Sequence, residues 1–380
     1  MNFLVKLMWR HMRRRPGRTV FTTLGVASAM LLYVAVESLS HGFEQALDSG
    51  DRARTLIVYR MNRYCPMTSH LPERYVDRIA EVEGVVSVLP VKVHLSNCRA
   101  SLDVVAFQGA PVESMLATRQ LEIIAGDANR FQGQANAALV GEDFAARRGI
   151  GPGDSFRFGE IIVDVAGVFQ SVDPIYEGLI LTHLEYLQRS GPVNRLGTVT
   201  QFEVKIDDAN NARRIANEID SLFRTAEEPT DTRASLQFLA DATRELREIL
   251  GFARLFGIVC FGVVLVLVAN TVLVSVRERR GEFGVYLTIG YRGRHILAMV
   301  LSECFALTLA GAALGLIGAF CLIYFSHLSI GVEGITVSFS LSANVFGTAL
   351  SMAALAALVA GIVPAIQAAR SRVTELLGSL

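Results

Sequence analysis

Residues able to do chemistry are sparse in this chain. Cys65, His70, His94 and Cys98 are the first candidates. His94 and Cys98 have three residues between them and would share one face of a strand. In an oxidising compartment the two thiols can pair as a disulfide, which is the first reading; a metal site that includes the two histidines, or two free thiols, are the others. Glu303 stands inside a long apolar run. A carboxylate there is either functional or paired, and the nearby loop arginines favour pairing. Cys260, Cys304 and Cys321 also lie in apolar runs and read as ordinary buried residues. No G-x-x-x-x-G-K-[ST] phosphate loop occurs, and Gly149, Gly151 and Gly153 suit only a turn. No hydrolytic constellation emerges from the seven histidines. The expectation is a chain with no catalytic residues, no metal and no cofactor of its own.

The segment Val276 to Ile296, VRERRGEFGVYLTIGYRGRHI, is a different kind of candidate. Full charges are interleaved there with Phe283, Tyr286, Leu287 and Ile289. Gly281 and Gly290 bracket a short helical stretch, and Glu282 near its start complements the helix dipole. Phe283, Tyr286 and Leu287 fall at i, i+3 and i+4, on one face. Left open to water, that face needs a groove to dock into, while the flanking arginines can hold lipid phosphates or acids of a partner. The plainer alternative is an amphipathic turn resting on the membrane.

Long apolar runs must position this loop. Of 380 residues, 51% are hydrophobic and 19% charged, more apolar than a soluble protein, and the apolar residues are clustered. Four runs are long enough to cross a bilayer, at residues 19–39, 252–276, 296–325 and 343–369. The third exceeds the need and should tilt or project. In the third, Gly311-x-x-x-Gly315, with Gly318 beyond, admits a close helix, either within the chain or in another subunit. Lys6, Arg10, Arg13, Arg14, Arg15 and Arg18 precede the first run, with no acid among them. Arginines also fill the 277–295 loop and begin the 370–380 tail, whereas residues 326–342 have neither Lys nor Arg. Both termini and the 277–295 loop are therefore expected on the cytoplasmic side, and residues 40–251 outside. The first run continues past Ala27–Ala29 to Leu39, too long for a cleaved signal, so it reads as an anchor. Phe3, Leu4, Leu7 and Met8 give residues 1–18 one apolar face, as in a helix lying in the interface. Lys plus Arg equals Asp plus Glu at 36 each, so no nucleic-acid partner is implied.

The outer segment alternates strand and helix signals. Thr55 to Met61 reads as a strand, Leu71 to Gly84 as a helix, and VVSVLPVKVHL and LDVVAFQGA as strands. Val199 to Ile206 and Ala209 to Phe223 repeat the strand-then-helix order. Two such pieces separated by an insertion suggest a split α+β sandwich. The insertion, residues 111–197, reads as a small, mainly β subdomain. Leu236, Leu239, Leu246, Leu250 and Leu255 give a helical stalk leading into the second run, and Glu37 to Leu47 extends the first outward.

The loop segment RERRGEFGVYLTIGYRGRHILAMVLSE resembles the signature of the FtsX-like ABC transporter permeases, the macrolide-exporter and lipoprotein-releasing type. Arg280, Glu282, Leu287, Gly290, Ile296 and Glu303 fall on matching positions; Gly281 and Tyr291 depart. RRRPGRTVFTTLGV, ALVGEDFAARRGIGPGDSF, VAGVF and PAIQAARSRVTELL resemble the family in the same order. The resemblance implies a fold: an α-helical membrane protein with four transmembrane helices and an α+β extracytoplasmic domain. That domain is a porter-like split sandwich with an inserted, mainly β subdomain. It also implies a multi-pass protein of the bacterial inner membrane, pairing with a second permease chain, identical or paralogous. A separate ABC ATPase subunit, carrying ATP and Mg, would dock on a coupling helix formed by Arg280, Glu282, Phe283, Tyr286, Leu287 and Gly290. A periplasmic adaptor and membrane lipids complete the implied partners. The alternative is a regulatory transmembrane protein that activates a periplasmic cell-wall hydrolase, or a signalling receptor. The cargo is not legible.

Overall fold

The computed structural model describes residues 16–47, 50–63, 66–96, 104–326, 329–332 and 335–370. The expected interfacial helix before residue 16, Cys65, Cys98 and the tail after Arg370 lie outside them. The chain divides into two compact units.

One unit holds the greater part of four long helices, Pro16–Leu47, Arg244–Glu278, Gly293–Ser326 and Ala343–Arg370, taking the first up to Ser38, the second from Ile249 and the third up to Phe325. Long apolar runs allow their length; Gly251 lies inside the second and Pro364 inside the fourth without ending either helix. The first two run antiparallel, with Thr22 and Thr271 hydroxyls 3.0 Å apart and Glu37 accepting from Arg254 at 3.0 Å. A Cβ added at Gly311 would meet Val26 Cβ at 2.6 Å, and one at Gly315 would meet the Ala27 carbonyl at 2.4 Å. The glycine stripe therefore lies against the chain's own first helix. Gly318 has more room, its nearest neighbour being the end of Leu31 at 3.3 Å. On the fourth helix, Gly361 sits against Cys304. Val268, Val272, Met299, Leu307 and Ala365 join the core these helices share.

The other unit is built on β1 (Thr55–Arg60), β2 (Leu71–Pro72), β3 (Val85–Leu95), β4 (Ala106–Ala110), β5 (Leu121–Gly126) and β6 (Ala137–Gly141). It continues with β7 (Ser155–Phe158), β8 (Ile161–Ser171), β9 (Ile180–His183), β10 (Thr198–Val199), β11 (Gln201–Ile206) and β12 (Thr230–Ala234). The order β12-β1-β11-β3-β4-β9-β6-β8-β5 forms one hydrogen-bonded path, with β7 beside β8. Eleven-residue β3 makes this continuous. Its first part pairs with β11, and Lys92 to Leu95 pair with β4. The insertion thus extends the sheet of the sandwich rather than forming a separate one.

Alternation in β11 sends Phe202, Val204 and Ile206 to one face. They pack there with Leu56 and Val58 against helices Tyr75–Ala80 and Ala212–Leu222. Helix Ala212–Leu222 buries Ile215 and Ile219, one turn apart, and Tyr75 stacks on Phe223 at 4.0 Å. The expected helix from Leu71 is shorter: Leu71 and Pro72 instead pair with β10, and the helix starts at Tyr75. In the insertion both sheet faces are covered, by Phe131, Phe169 and Leu139 on one side and Phe144, Val163 and Val140 on the other. That explains the unbroken apolar run in β6. Residues 326–340 belong to this unit, and Ser329–Val332 pairs with Ile335–Ser338 as a hairpin.

One carboxyl of this unit titrates unusually. Burial, reinforced by Asp143 and Glu142, pushes Glu177 from 4.5 up to about 7. The folded form then keeps a proton over a window in which the unfolded chain has lost it. This unit should therefore lose stability as pH rises from about 4.5 to about 7, by on the order of 1 kcal/mol for a half-buried group. Thermal melts across that window should show a smaller decline in Glu177→Gln than in the wild type. Parallel pH profiles would disprove the assignment.

Candidate functional site

The loop between the second and third long helices forms the helix Arg280–Thr288. Its start is a kink at Arg279, where the preceding helix ends at Glu278. Its end is set by Gly290, whose φ of +102° only glycine adopts freely. Gly281 lies within the first turn rather than before it, and Glu282 is the acid of that turn.

Arg279 turns inward at the kink. Its Nη1 donates to Glu303 Oε2 at 2.9 Å, and its Nε to Glu282 Oε2 at 3.4 Å. Ser275 Oγ donates to the other Glu303 oxygen at 3.1 Å. The guanidinium lies over the Phe283 ring, 5.2 Å from its centre. Arg279 and Glu303 are each 8% exposed. Glu303 is thus structurally paired, and its partner is the arginine at the kink. The pair ties the second helix, the loop helix and the third helix into one body.

The aromatic face of the loop helix differs from expectation. Phe283 is 1% exposed and packs with Val276, Ile296 and Val300; Tyr286 and Leu287 are partly buried against the same core. The face read as needing a partner's groove already has one, supplied by the chain's own helices. Residues 279, 283, 286 and 287 share one helical face. An arginine in that set, paired to a carboxylate in the next span, marks it as inward. The outward surface is Arg280, Val285, Ile289 and Tyr291, all exposed. Val285 and Ile289 are one turn apart, and that apolar pair was the signal in the sequence for the open face. Tyr291 sits between Tyr286 and His295, with ring centres at 5.9 and 5.7 Å, and the Arg292 N–H donates to His295 Nδ1 at 3.2 Å.

Among the described residues, no cluster of three or more His, Cys, Asp or Glu side chains is set to hold a metal ion. His70 and His94 are partly buried, and burial lowers the pKa of both, His70 to about 4.

Four helices long and apolar enough to cross a membrane, joined to an α/β domain inserted after the first, are the architecture of a multi-pass membrane protein. Residues 19–222 match the MacB-like periplasmic core domain, and residues 254–373 match the FtsX-like permease C-terminal family. The chain belongs to this family of ABC transporter permeases, and it is an inner-membrane protein. It is 24% identical over 395 residues to the macrolide export ATP-binding/permease protein MacB of Escherichia coli O6:K15:H31 (strain 536 / UPEC), covering 97% of this chain and 59% of that protein. It is 24% identical over 389 residues to the pyoverdine export ATP-binding/permease protein PvdT of Pseudomonas syringae pv. syringae (strain B728a), covering 96% of this chain and 58% of that one. The chain therefore spans less than two thirds of the length of these relatives. The periplasmic region of MacB from Actinobacillus actinomycetemcomitans aligns at TM-score 0.37 with 13% identity, over 53% of this chain and 97% of that structure. The extracellular domain of the ABC-type transporter YknZ from Gram-positive bacteria aligns at 0.36 with 15% identity, over 47% and 99%.

Proposed function

We propose that this chain is the transmembrane permease subunit of an ABC transporter, driven by an ATPase on a separate chain that carries ATP and Mg. The observation that supports the reading most is the two-faced loop helix. One face is fixed to the spans through Phe283 and the Arg279–Glu303 pair, and the other presents Arg280, Val285 and Ile289 outward. Force applied to the outer face is passed to the spans because the inner face cannot slide. The second span is a single helix of 35 residues, about 52 Å at about 1.5 Å per residue, longer than the bilayer core of about 30 Å. A stiff rod of that length can carry motion from the loop to the outer domain, so that cargo need not cross the bilayer.

Two permease chains would pair, with the exposed apolar side of the second span, Phe252, Val259, Val263 and Val266, open to lipid or the second chain. Both termini would be cytoplasmic, and a periplasmic adaptor would meet the outer domain. Two relatives are named for macrolide and pyoverdine export; the corresponding reading here is export of a lipid, lipoprotein or small molecule.

Val285→Asp and Ile289→Asp should abolish co-purification of the ATPase while membrane insertion and folding persist. Phe283→Asp should instead damage the fold, since its ring is buried. Normal recovery of the complex from both surface variants would sink the docking assignment.

A further inference from the structure

The outer unit contains a cleft of about 920 Å³ that the permease reading does not use. Its size is that of a small-molecule site. Strand parity makes one wall. Leu56, Val58, Phe202 and Val204 face the helices, so Thr55, Ile57, Gln201, Glu203 and Lys205 face the other way, into the cleft. The insertion makes the opposite wall with Gln108 on β4, Arg119 and the turn Asp173–Tyr176. Phe238 and Leu239, on the helix after β12, add apolar surface.

Polar groups join these walls. Arg119 Nη2 donates to Glu203 Oε1 at 2.9 Å, Lys205 Nζ donates to the Thr118 carbonyl at 3.2 Å, and Arg52 pairs with Asp173. The Arg119 guanidinium stacks on the Tyr176 ring, 4.5 Å from its centre. The Arg119 side chain is 1% exposed. Yet its Nε and Nη1 have no hydrogen-bond partner among the described residues, and neither has the buried Oε1 of Gln108. Buried polar groups are seldom left without partners, and doing so is costly. Two donor groups and one carbonyl acceptor, buried on two residues that line one cleft, are the complement of an amide, which offers a carbonyl oxygen and an N–H. Arg119 is paired with Glu203, Arg52 with Asp173, and Lys205 Nζ with the Thr118 carbonyl, so each cation of the lining already has an acceptor and none calls for a strong anion. Ile57, Val172, Phe238 and Leu239 suit an apolar body, and Val172 is 79% exposed at its rim.

We propose that this cleft binds an uncharged amphipathic amide, with the amide held between Arg119 and Gln108 and the apolar body against Phe238 and Leu239. Because these atoms are buried in the free chain, the ligand must displace the Arg119 and Gln108 side chains as it enters, so that Arg119 donates to its carbonyl and Gln108 Oε1 accepts its N–H. The site is independent of ATPase docking.

The probe is N-octanoyl-alanyl-alanine amide, titrated calorimetrically into the full chain in lipid nanodiscs, with empty nanodiscs as the blank. Its ester isostere, in which an oxygen replaces the N–H after the octanoyl group, is titrated in parallel. The amide should bind saturably, and the ester at least about fivefold more weakly, the effect of one hydrogen bond. Gln108→Leu should erase the difference between the two probes, while its melting temperature stays level or rises because an unpartnered group has been removed. Arg119→Lys keeps a charge for Glu203 and should weaken both probes. Heat no greater than that of empty discs, or an amide preference that survives in Gln108→Leu, would overturn the proposal.

Discussion

Gly315→Val is expected to prevent the four-helix unit from assembling. An added Cβ would lie 2.4 Å from the Ala27 carbonyl oxygen and 2.8 Å from Met30 Cβ. Neither is the free end of a flexible side chain, so the helices themselves would have to part. Overpacking of this kind costs about 3 kcal/mol, and here it also opens the neighbouring Gly311 contact, where Val26 Cβ is as close. The expected readout is loss of the monodisperse peak after detergent extraction, with a much lower melting temperature in whatever folds. Gly318→Ala is the control, since its nearest neighbour is the tip of Leu31 at 3.3 Å, which can move. If Gly315→Val melts with the wild type, the glycine stripe does not pack inside the chain, and contact with a second subunit becomes the better reading.

Arg279→Met should be nearly as damaging, for an electrostatic reason. It leaves Glu303 buried with only the Ser275 hydroxyl for company. Removing one partner of a buried ion pair costs about 3–5 kcal/mol, most of it the penalty of the stranded charge. The double variant Arg279→Met/Glu303→Leu removes the charge as well as its partner and should recover most of that loss. A double-mutant cycle on melting or denaturant midpoints measures the coupling, and additive effects would show that the pair is not a unit. The recovered double variant also tests the role of the pair. Stable protein that binds ATPase without responding to ATP would make the pair part of the force path. Normal response would reduce it to an element of the fold.

The loop shows how far local pattern carries. A short helix ending near Gly290, with Glu282 in its first turn, is legible because capping and left-handed glycine geometry act over a few residues. The face bearing Phe283, Tyr286 and Leu287 is legible too. Its direction is not, because an aromatic face packs equally well against a partner or against the same chain. Arg279 settles the direction only once Glu303, in another helix, is seen beside it. Glu303 shows the same limit: a buried carboxylate demands a partner, but several loop arginines were within reach. The stripe of Gly311 and Gly315 announces a close helix without saying whose. In the outer unit, the alternation of β11 predicts one apolar and one polar face, while the cleft on the polar face exists only because the insertion folds over it.

What the sequence determined by itself is therefore local and periodic. The four apolar spans, the strand and helix signals of the outer segment, and its interruption by an insertion follow from hydropathy runs and from repeats of 2 and 3.6 residues, which each segment carries alone. Tertiary structure decided the pairings: Arg279 with Glu303, the glycines with the first helix, and Arg119 with Glu203 near a Gln108 Oε1 that has no partner among the described residues. Those contacts join residues far apart in the chain. Their existence depends on how closely helices approach and how sheets are bent, which a periodicity read along one segment does not contain.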